Sequence, residues 1–151
     1  MQITLRPACI QDLDFCSNLY FAGMERIIRE LKLDPVDQAS GFREQWEAAQ
    51  VRIVVLNGVD VGWLQTTVRD NALFLGQLFV SSALQNQGIG TQVIHRLIAE
   101  AGRSHRAVTL GVAKINPALR LYQRLGFRVT HEDDRKYYMR RDPGAEPPIT
   151  T

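Results

Sequence analysis

Two glycines at the start of a predicted helix form the segment of this sequence best suited to chemistry. Residues 78–91 run from an apolar strand into a short loop, and Gly88 and Gly90 stand where helical periodicity begins. Backbone N–H groups at a helix start have no intrahelical partner, and the helix dipole favours an anion there. Because glycine has no Cβ, a diphosphate could approach the main chain closely. The alternative is that the glycines only permit a tight turn.

Other phosphate-binding loops need residues that this segment lacks. The ATPase loop places a lysine before its Ser or Thr, whereas Ile89-Gly90-Thr91 contains none. A dinucleotide fingerprint that begins at Gly88 needs a small third residue where Val93 stands. The loop therefore predicts a ligand that is neither a P-loop nucleotide nor a Rossmann dinucleotide.

The elements that must position this loop follow from apolar periodicity and turn residues. We predict strands at 3–6, 51–56, 59–68, 72–80, 107–112, 127–130 and 136–140, and helices at 13–31, 40–49, 88–101 and 116–125. Asn57-Gly58 favours a type I′ hairpin turn, Asp34-Pro35 is expected to end the first helix, and Gly102 is expected to close the third. An early meander with helices inserted later predicts an α/β fold with a mixed, mainly antiparallel sheet and helices on both faces.

Composition excludes several classes of function. The 151 residues suffice for one domain, and 18 Lys and Arg against 16 Asp and Glu leave no basic excess for nucleic acid. No apolar run is long enough to span a membrane, and the N-terminus lacks a signal-peptide pattern. Cys9, Cys16 and the three histidines lack the spacing of a metal site. We expect a cytoplasmic protein without a metal.

Two motifs together resemble one known family. Gln85-x-x-Gly88-x-Gly90 resembles the acyl-CoA diphosphate motif of the GNAT superfamily of N-acetyltransferases. The segment from Asn116 to Phe127 resembles the second signature of that superfamily, N-x-x-A-x-x-L-Y-x-x-x-G-F, at every defined position. The resemblance covers nearly the whole chain. It implies an acyl-CoA N-acyltransferase fold with a splayed strand pair and one domain over residues 1–141. The three prolines of residues 142–151 predict a flexible tail.

The resemblance also implies how the co-substrate acetyl-CoA is bound. The edge of the fourth strand would pair with the pantetheine arm through Leu78, Phe79 and Val80. The diphosphate would be held, mainly by main-chain amides, at Gln85, Asn86, Gln87, Gly88, Ile89, Gly90 and Thr91. Asn116 would contact pantetheine or help to fix the gap between the strands. Tyr122 would lie near the thioester sulfur and protonate the leaving thiolate, although a tyrosine on an apolar helix face can also simply fill the core.

The expected reaction is attack of a neutral amine on the thioester. An alkyl amine has a pKa near ~10.4, so a proton must first be removed. Many members of the superfamily use a glutamate on the fourth or fifth strand, but this sequence has Gln77 and Gly111 there. We therefore expect a water relay organised by Gln65 and Gln77, or assisted by Glu25. A backbone N–H near Val80 is expected to stabilise the oxyanion.

The acceptor is expected between the N-terminal helices, the central strands and the final hairpin. Candidate contacts are Tyr20, Met24, Glu25, Trp46, Trp63, Gln65, Gln77 and Tyr137, although aromatics at helical spacing are commonly core residues. Glu25 and Arg29 at i,i+4 are typical of a surface ion pair. The acceptor would be a primary amine of a small molecule or peptide. Acylation of a protein N-terminus or lysine, a non-catalytic acyl-CoA sensor, and a homodimer, which is common in the superfamily, stay open.

Overall fold

The computed structural model describes residues 2–144, which form seven strands, four α-helices and three short 3-10 turns. The strands are β1 (Ile3–Pro7), β2 (Val51–Leu56), β3 (Val59–Arg69), β4 (Ala72–Val80), β5 (Ala107–Ala113), β6 (Arg128–Glu132) and β7 (Lys136–Arg141). The helices are α1 (Leu13–Glu30), α2 (Pro35–Gln45), α3 (Ile89–Arg103) and α4 (Leu119–Arg124). The 3-10 turns are Ile10–Asp12, Ala48–Gln50 and Ser82–Leu84.

The seven strands form one mixed sheet in the order β1-β2-β3-β4-β5-β7-β6. The pairs β1–β2, β2–β3, β5–β7 and β6–β7 are antiparallel, and β4 runs parallel to β5. The β4–β5 register extends from Ala72 with Ala107 to Leu75 with Leu110, and β4 then continues to Val80. The predicted fold class, α/β with a mainly antiparallel sheet, is confirmed.

Chain contacts divide the protein into two compact units. The first comprises Met1–Gln65 and Gln77–Gly90, and the second comprises Thr66–Gly76 and Thr91–Thr151. In the first unit, helices α1 and α2 and strands β2 and β3 contribute one apolar core cluster, consisting of Cys16, Tyr20, Phe42, Trp46, Val51, Ile53 and Trp63. In the second unit, the buried face of α3 is formed by Val93, Ile94, Leu97 and Ala101, whose three- and four-residue spacing was the helical signal in the sequence.

One arginine joins three segments of the first unit. The Arg6 guanidinium donates to both carboxylate oxygens of Asp12, at 2.9 and 3.0 Å, and to Asp60 Oδ2 at 2.9 Å. These hydrogen bonds from Arg6 lower the pKa of Asp12 from its usual 3.8 to about 2. Asp12 also accepts from the Cys9 backbone N–H at 2.9 Å. The network ties β1 to the first 3-10 turn and to the β2–β3 hairpin.

The hairpin turn is confirmed, whereas several predicted helix boundaries are wrong. Asn57 and Gly58 have φ of 51° and 78°, as a type I′ turn requires. Asp34-Pro35, expected to end the first helix, instead starts the second, and α1 ends at Glu30. The second helix spans Pro35–Gln45 rather than 40–49, because Asp34 accepts from the Val36 N–H at 2.8 Å and so caps a new helix. Helix α3 continues through Gly102 to Arg103, and the positive φ that follows it, 52°, is at His105.

The last α-helix begins later than the sequence indicated. Asn116 accepts from the Ala118 N–H at 2.9 Å, which satisfies one helix-start donor, but regular α4 geometry begins at Leu119. Its six residues are therefore preceded by a side-chain-stabilised turn. The predicted flexible tail at 142–151 lies, from residue 145 onward, outside the described residues.

Among residues 2–144, no helix is both long and apolar enough to cross a membrane. The same described residues contain no group of three or more His, Cys, Asp or Glu side chains placed to hold a metal ion.

Candidate active site

Two hydrogen bonds, one to β3 and one within the loop, hold the segment that follows β4. The Ser81 N–H donates to the Val61 carbonyl at 2.8 Å, which holds the end of β4 beside β3. The Gln85 side-chain amide donates to the Val80 carbonyl at 3.2 Å, across the 3-10 turn. These two hydrogen bonds fix the path of the chain between the end of β4 and the start of α3.

The predicted phosphate loop has an open main chain. Asn86 and Gly88 have φ of 65° and 83°, a conformation that glycine and asparagine adopt most easily. A Cβ built on Gly88 or on Gly90 would meet no atom within 4 Å. Residues 85–88 are exposed, while Ile89 is 1% exposed and anchors the helix start. This open backbone fits a diphosphate; binding there stays a prediction.

The Phe79 side chain belongs to the core of the first unit. Its ring stacks on Trp63, with centroids 5.5 Å apart and an interplanar angle of 26°, and lies 5.3 Å from the Tyr20 ring. Cβ atoms built on Gly23 and Gly62 would come within 2.7 Å of the Phe79 ring and 2.5 Å of the Phe79 carbonyl. With one side of its ring packed in this way, Phe79 presents its backbone at the edge of β4.

A cavity of about 150 Å³ lies within the first unit. We call it the acceptor cavity, after the role that the sequence predicts for five of its residues. Its lining comes from α1, α2, the segment after α2, β3 and β4, and comprises Tyr20, Asp37, Gln38, Gly41, Phe42, Gln45, Trp46, Trp63, Gln65 and Gln77. Trp63 and Gln65 share one face of β3, because side chains two residues apart point the same way along a strand. The cavity combines four aromatic rings with four side-chain amides and one carboxylate.

Five of the eight candidate acceptor residues line this cavity: Tyr20, Trp46, Trp63, Gln65 and Gln77. Met24 instead packs against the core cluster. Glu25 lies on the exposed face of α1, where it pairs with Arg29 at 3.8 Å, as the sequence predicted. Tyr137, in the second unit, has the Lys114 ammonium 5.1 Å from its ring centroid.

Sequence reasoning missed the contribution of α2 to the cavity. Asp37, Gln38, Gly41, Phe42 and Gln45 follow the three- and four-residue spacing of one helix face. Recognition of Asp34-Pro35 as a helix start would have placed all five residues on a single helix. The missed signal was therefore a capping residue followed by proline at the first helical position.

The two glutamines proposed to organise a water relay differ in the hydrogen bonds that their side chains make. The Gln65 amide nitrogen donates to the Gln45 carbonyl at 2.7 Å and to Gln50 Oε1 at 2.9 Å, so both of its N–H groups are used. The side-chain oxygen of Gln65 is therefore the atom that could accept a hydrogen bond from a water. Gln77 is half-buried on β4 and lines the same cavity.

In the second unit, Tyr122 is half-buried on α4, and its ring lies edge-on to Phe127 at a centroid distance of 5.8 Å. Burial raises the pKa of the Tyr122 hydroxyl above its usual 10, so the hydroxyl stays protonated at neutral pH. Asn116 uses its side-chain oxygen in its own turn. Their roles at the thioester stay predictions.

The fifth strand carries no acid at the position considered for a base. Gly111 pairs with Tyr138 of β7, and a Cβ at Gly111 would lie 3.3 Å from the Tyr138 ring. Tyr138 is held in turn by its hydroxyl, which donates to Asp133 Oδ2 at 2.8 Å. The glycine therefore accommodates the tyrosine ring against the sheet.

A family model described as an acetyltransferase (GNAT) domain matches residues 47–129, which include β2 to β5, the open loop and α4. The chain belongs to the GNAT acetyltransferase family. Membership in this family supports acyl transfer as the general activity of the chain.

Solved structures share this GNAT fold at low sequence identity. The PaiA N-acetyltransferase from Thermoplasma acidophilum, in complex with coenzyme A, is 15% identical, with a TM-score of 0.75 over 94% of this chain and 99% of that one. The ribosomal-protein-S18-alanine N-acetyltransferase from Escherichia coli is 19% identical, with a TM-score of 0.68 over 99% of this chain and 100% of that one. At such identities the likeness shows the fold alone.

One curated relative of this GNAT chain is the spore coat polysaccharide biosynthesis protein SpsD of Bacillus subtilis. The two sequences are 31% identical over an alignment of 119 positions, which covers 73% of this chain. The match spans about 40% of the length of the relative.

Proposed function

We propose that this chain transfers an acetyl group from acetyl-CoA to a primary amine of a small molecule or peptide. The proposal treats residues 1–141 as one catalytic domain followed by a tail. A cytoplasmic location and a homodimer belong to the same proposal. Family membership supports acyl transfer in general. The choice of acetyl-CoA as the donor and of a primary amine as the acceptor is our proposal.

The open glycine loop is the observation that carries the choice of donor. The positive φ of Gly88 and the empty space beside the Cα atoms of Gly88 and Gly90 leave room for a ligand against the main chain at the start of a 15-residue helix. Such a site suits a diphosphate. The coenzyme A complex of the Thermoplasma relative supports the same class of donor.

Bound acetyl-CoA would supply the acetyl group as an activated thioester. The nitrogen lone pair of the neutral amine forms a C–N bond to the carbonyl carbon, and the C–S bond then breaks with its electron pair on sulfur. A protonated amine thus loses two protons in all: one ends on the thiol of coenzyme A, and the other is released to solvent.

Three groups of the chain would assist this step. The Val80 backbone N–H would stabilise the oxyanion, and loss of such a donor costs about 10²–10³-fold in rate in other enzymes. The Tyr122 hydroxyl, which is protonated at neutral pH and whose pKa burial raises further above 10, would donate to the departing thiolate. Gln77, on the wall of the acceptor cavity, would orient a water that removes the ammonium proton.

A protein α-amine is the second candidate acceptor, because one structural neighbour is named for acetylation of a ribosomal-protein alanine. The volume of the acceptor cavity, about 150 Å³, favours a compact acceptor over an extended peptide. An amino sugar is also a reasonable probe, since the curated relative is named for polysaccharide biosynthesis.

The test is thiol release from acetyl-CoA by the purified full chain. The acceptors are an alkyl amine, an amino sugar, a peptide with a free α-amine and a peptide whose lysine is its only amine. Mass spectrometry of the product identifies the acetylated nitrogen, calorimetry measures acetyl-CoA binding, and a reaction without amine corrects for hydrolysis.

We expect saturable acetyl-CoA binding and amine-dependent thiol release. Release with only the lysine peptide or the α-amine peptide would replace the small-molecule acceptor by a protein. Binding of acetyl-CoA with no release for any amine would instead identify a sensor. No binding at all would overturn the choice of donor.

A further inference from the structure

The acceptor cavity contains a single charged side chain. Among its ten lining residues, Asp37 is the one acid, and none is Lys, Arg or His. The remaining walls are four aromatic rings, whose faces can contact a cation, together with four side-chain amides and Gly41. The lining is therefore complementary to a positively charged ligand.

Asp37 is available to such a ligand. It lies in the first turn of α2, with its side chain exposed and at the cavity wall. Within residues 2–144, no Lys, Arg or His side chain forms an ion pair with it, whereas Asp12, Glu25 and Glu30 are each paired with an arginine. Its charge is not neutralised by a neighbour.

The unit that holds the acceptor cavity has a net negative charge, the same sign as the charge of Asp37. Segments 1–65 and 77–90, which form the unit that holds the cavity, contain nine Asp and Glu against six Lys and Arg. The rest of the chain contains seven acidic against twelve basic residues, in agreement with the totals of 16 and 18. An acidic surface raises the local concentration of cations and speeds their association.

The size of the cavity restricts the ligand further. A volume of about 150 Å³ is similar to that of an engineered protein cavity that binds one benzene molecule. An acceptor of about six to eight non-hydrogen atoms would fill the enclosed part. A longer molecule would have to extend into solvent.

A carboxylate has a different effect on a reacting amine than on a second cation. Paired with the reacting ammonium, it raises the pKa of that ammonium and opposes the loss of its proton. Paired with a cationic group elsewhere on the acceptor, it adds affinity without that cost. Resting on the proposed acetyltransferase function, we propose that the acceptor is a short primary amine with a second positive charge, which Asp37 holds while the other end is acetylated.

The test compares three four-carbon acceptors of nearly equal size: 1,4-diaminobutane, butylamine and 4-aminobutanoate. At the end opposite the reacting amine, the three compounds carry a cationic ammonium, a neutral methyl group and an anionic carboxylate, respectively. Initial rates of thiol release give kcat and KM for wild type, for Asp37→Asn and for Glu44→Gln. Glu44 is the matched control, since it is an exposed acid on the same helix but does not line the cavity.

We expect KM to be lowest for the diamine and highest for the amino acid. Asp37→Asn should raise KM for the diamine about five-fold, the upper range for a partly exposed ion pair, and should leave KM for butylamine within two-fold. The same variant should lower KM for 4-aminobutanoate. Glu44→Gln should change none of these ratios, and a thermal melt checks that Asp37→Asn is folded.

Equal KM values for diamine and butylamine, or a diamine KM unaffected by Asp37→Asn, would overturn the role of Asp37 and leave the acetyltransferase function intact. Turnover of the amino sugar or of peptides without turnover of the diamine would do the same. Failure of every amine despite acetyl-CoA binding would overturn both proposals.

Discussion

Substitution of Gly62 by alanine tests how closely β3 and β4 approach. The new Cβ would lie 2.5 Å from the Phe79 carbonyl oxygen and 3.3 Å from Val80 Cα. Both neighbours are backbone atoms, so the clash cannot be relieved by a side-chain rotation. The two strands must separate locally.

The expected cost follows from that geometry. Overpacking a filled interior typically costs about 1–3 kcal/mol, and replacing a strand glycine by alanine returns about 0.5–1 kcal/mol of backbone entropy. Because the clash is with backbone atoms, we expect the upper part of the overpacking range, about 2–3 kcal/mol, and therefore a net loss of about 1–2.5 kcal/mol in the free energy of unfolding. For a chain of 151 residues this lowers Tm by about 2–10 °C.

The same shift should weaken donor binding. Phe79 and Val80 form the proposed pantetheine edge, and Gly62→Ala displaces their backbone. Denaturant unfolding measures stability and calorimetry measures the Kd of acetyl-CoA. Gly102→Ala is the matched control, because a Cβ there meets no atom within 4 Å and lies within α3. It should be neutral or stabilising.

Two results would refute the reasoning. A Gly62→Ala variant as stable as wild type would show that β3 and β4 do not approach as closely as described. A destabilised variant with unchanged acetyl-CoA affinity would separate this strand contact from the donor site.

Three further changes test the loop, the leaving-group acid and the N-terminal ion pairs. Gly88→Val should abolish acetyl-CoA binding, whereas Gly58→Val, with a similar positive φ in the hairpin turn, should cost stability but spare affinity; equal Kd values for the two in calorimetry would contradict the loop assignment. Tyr122→Phe should lower kcat at least ten-fold with little change in acetyl-CoA affinity, and unchanged steady-state turnover would remove the tyrosine from the mechanism. Asp12→Asn should destabilise the fold at pH 7. The folded pKa of Asp12 is about 2 against a usual 3.8. The difference in free energy of unfolding between wild type and Asp12→Asn, measured by urea titration, should therefore persist above about pH 4 and shrink as pH falls toward 2. A difference that does not change with pH would contradict the Arg6 contact.

The strands were the most predictable part of the fold. The predicted bounds of β2 and β4 match the structure, because β-branched and apolar runs end there at unambiguous turn residues, such as Asn57-Gly58. The buried face of α3 was equally clear from its spacing. These signals are local, so tertiary contacts did not need to be known.

The position of α2 could not be read from apolar spacing alone. Its sequence carries one buried apolar residue, Phe42, and Trp46 follows the end of the helix. The start of a helix with so short an apolar stripe must be recognised from its capping residue. Asp34-Pro35 is compatible both with the end of one helix and with the start of another. Misplacement of α2 hid Asp37, which the fold brings to the cavity wall.

The contact between Gly111 and Tyr138 restricts which sequences this fifth strand can adopt. Introduction of a glutamate at position 111 would push its Cβ against an aromatic ring that is already anchored. Replacing Tyr138 by a smaller residue first would release Asp133, whose other oxygen accepts from the backbone of Arg135 and Lys136 in the hairpin turn. A carboxylate at position 111 therefore requires the Tyr138 ring to move by a few tenths of an ångström, which couples the sequence of β5 to that of β7 and of the β6–β7 turn.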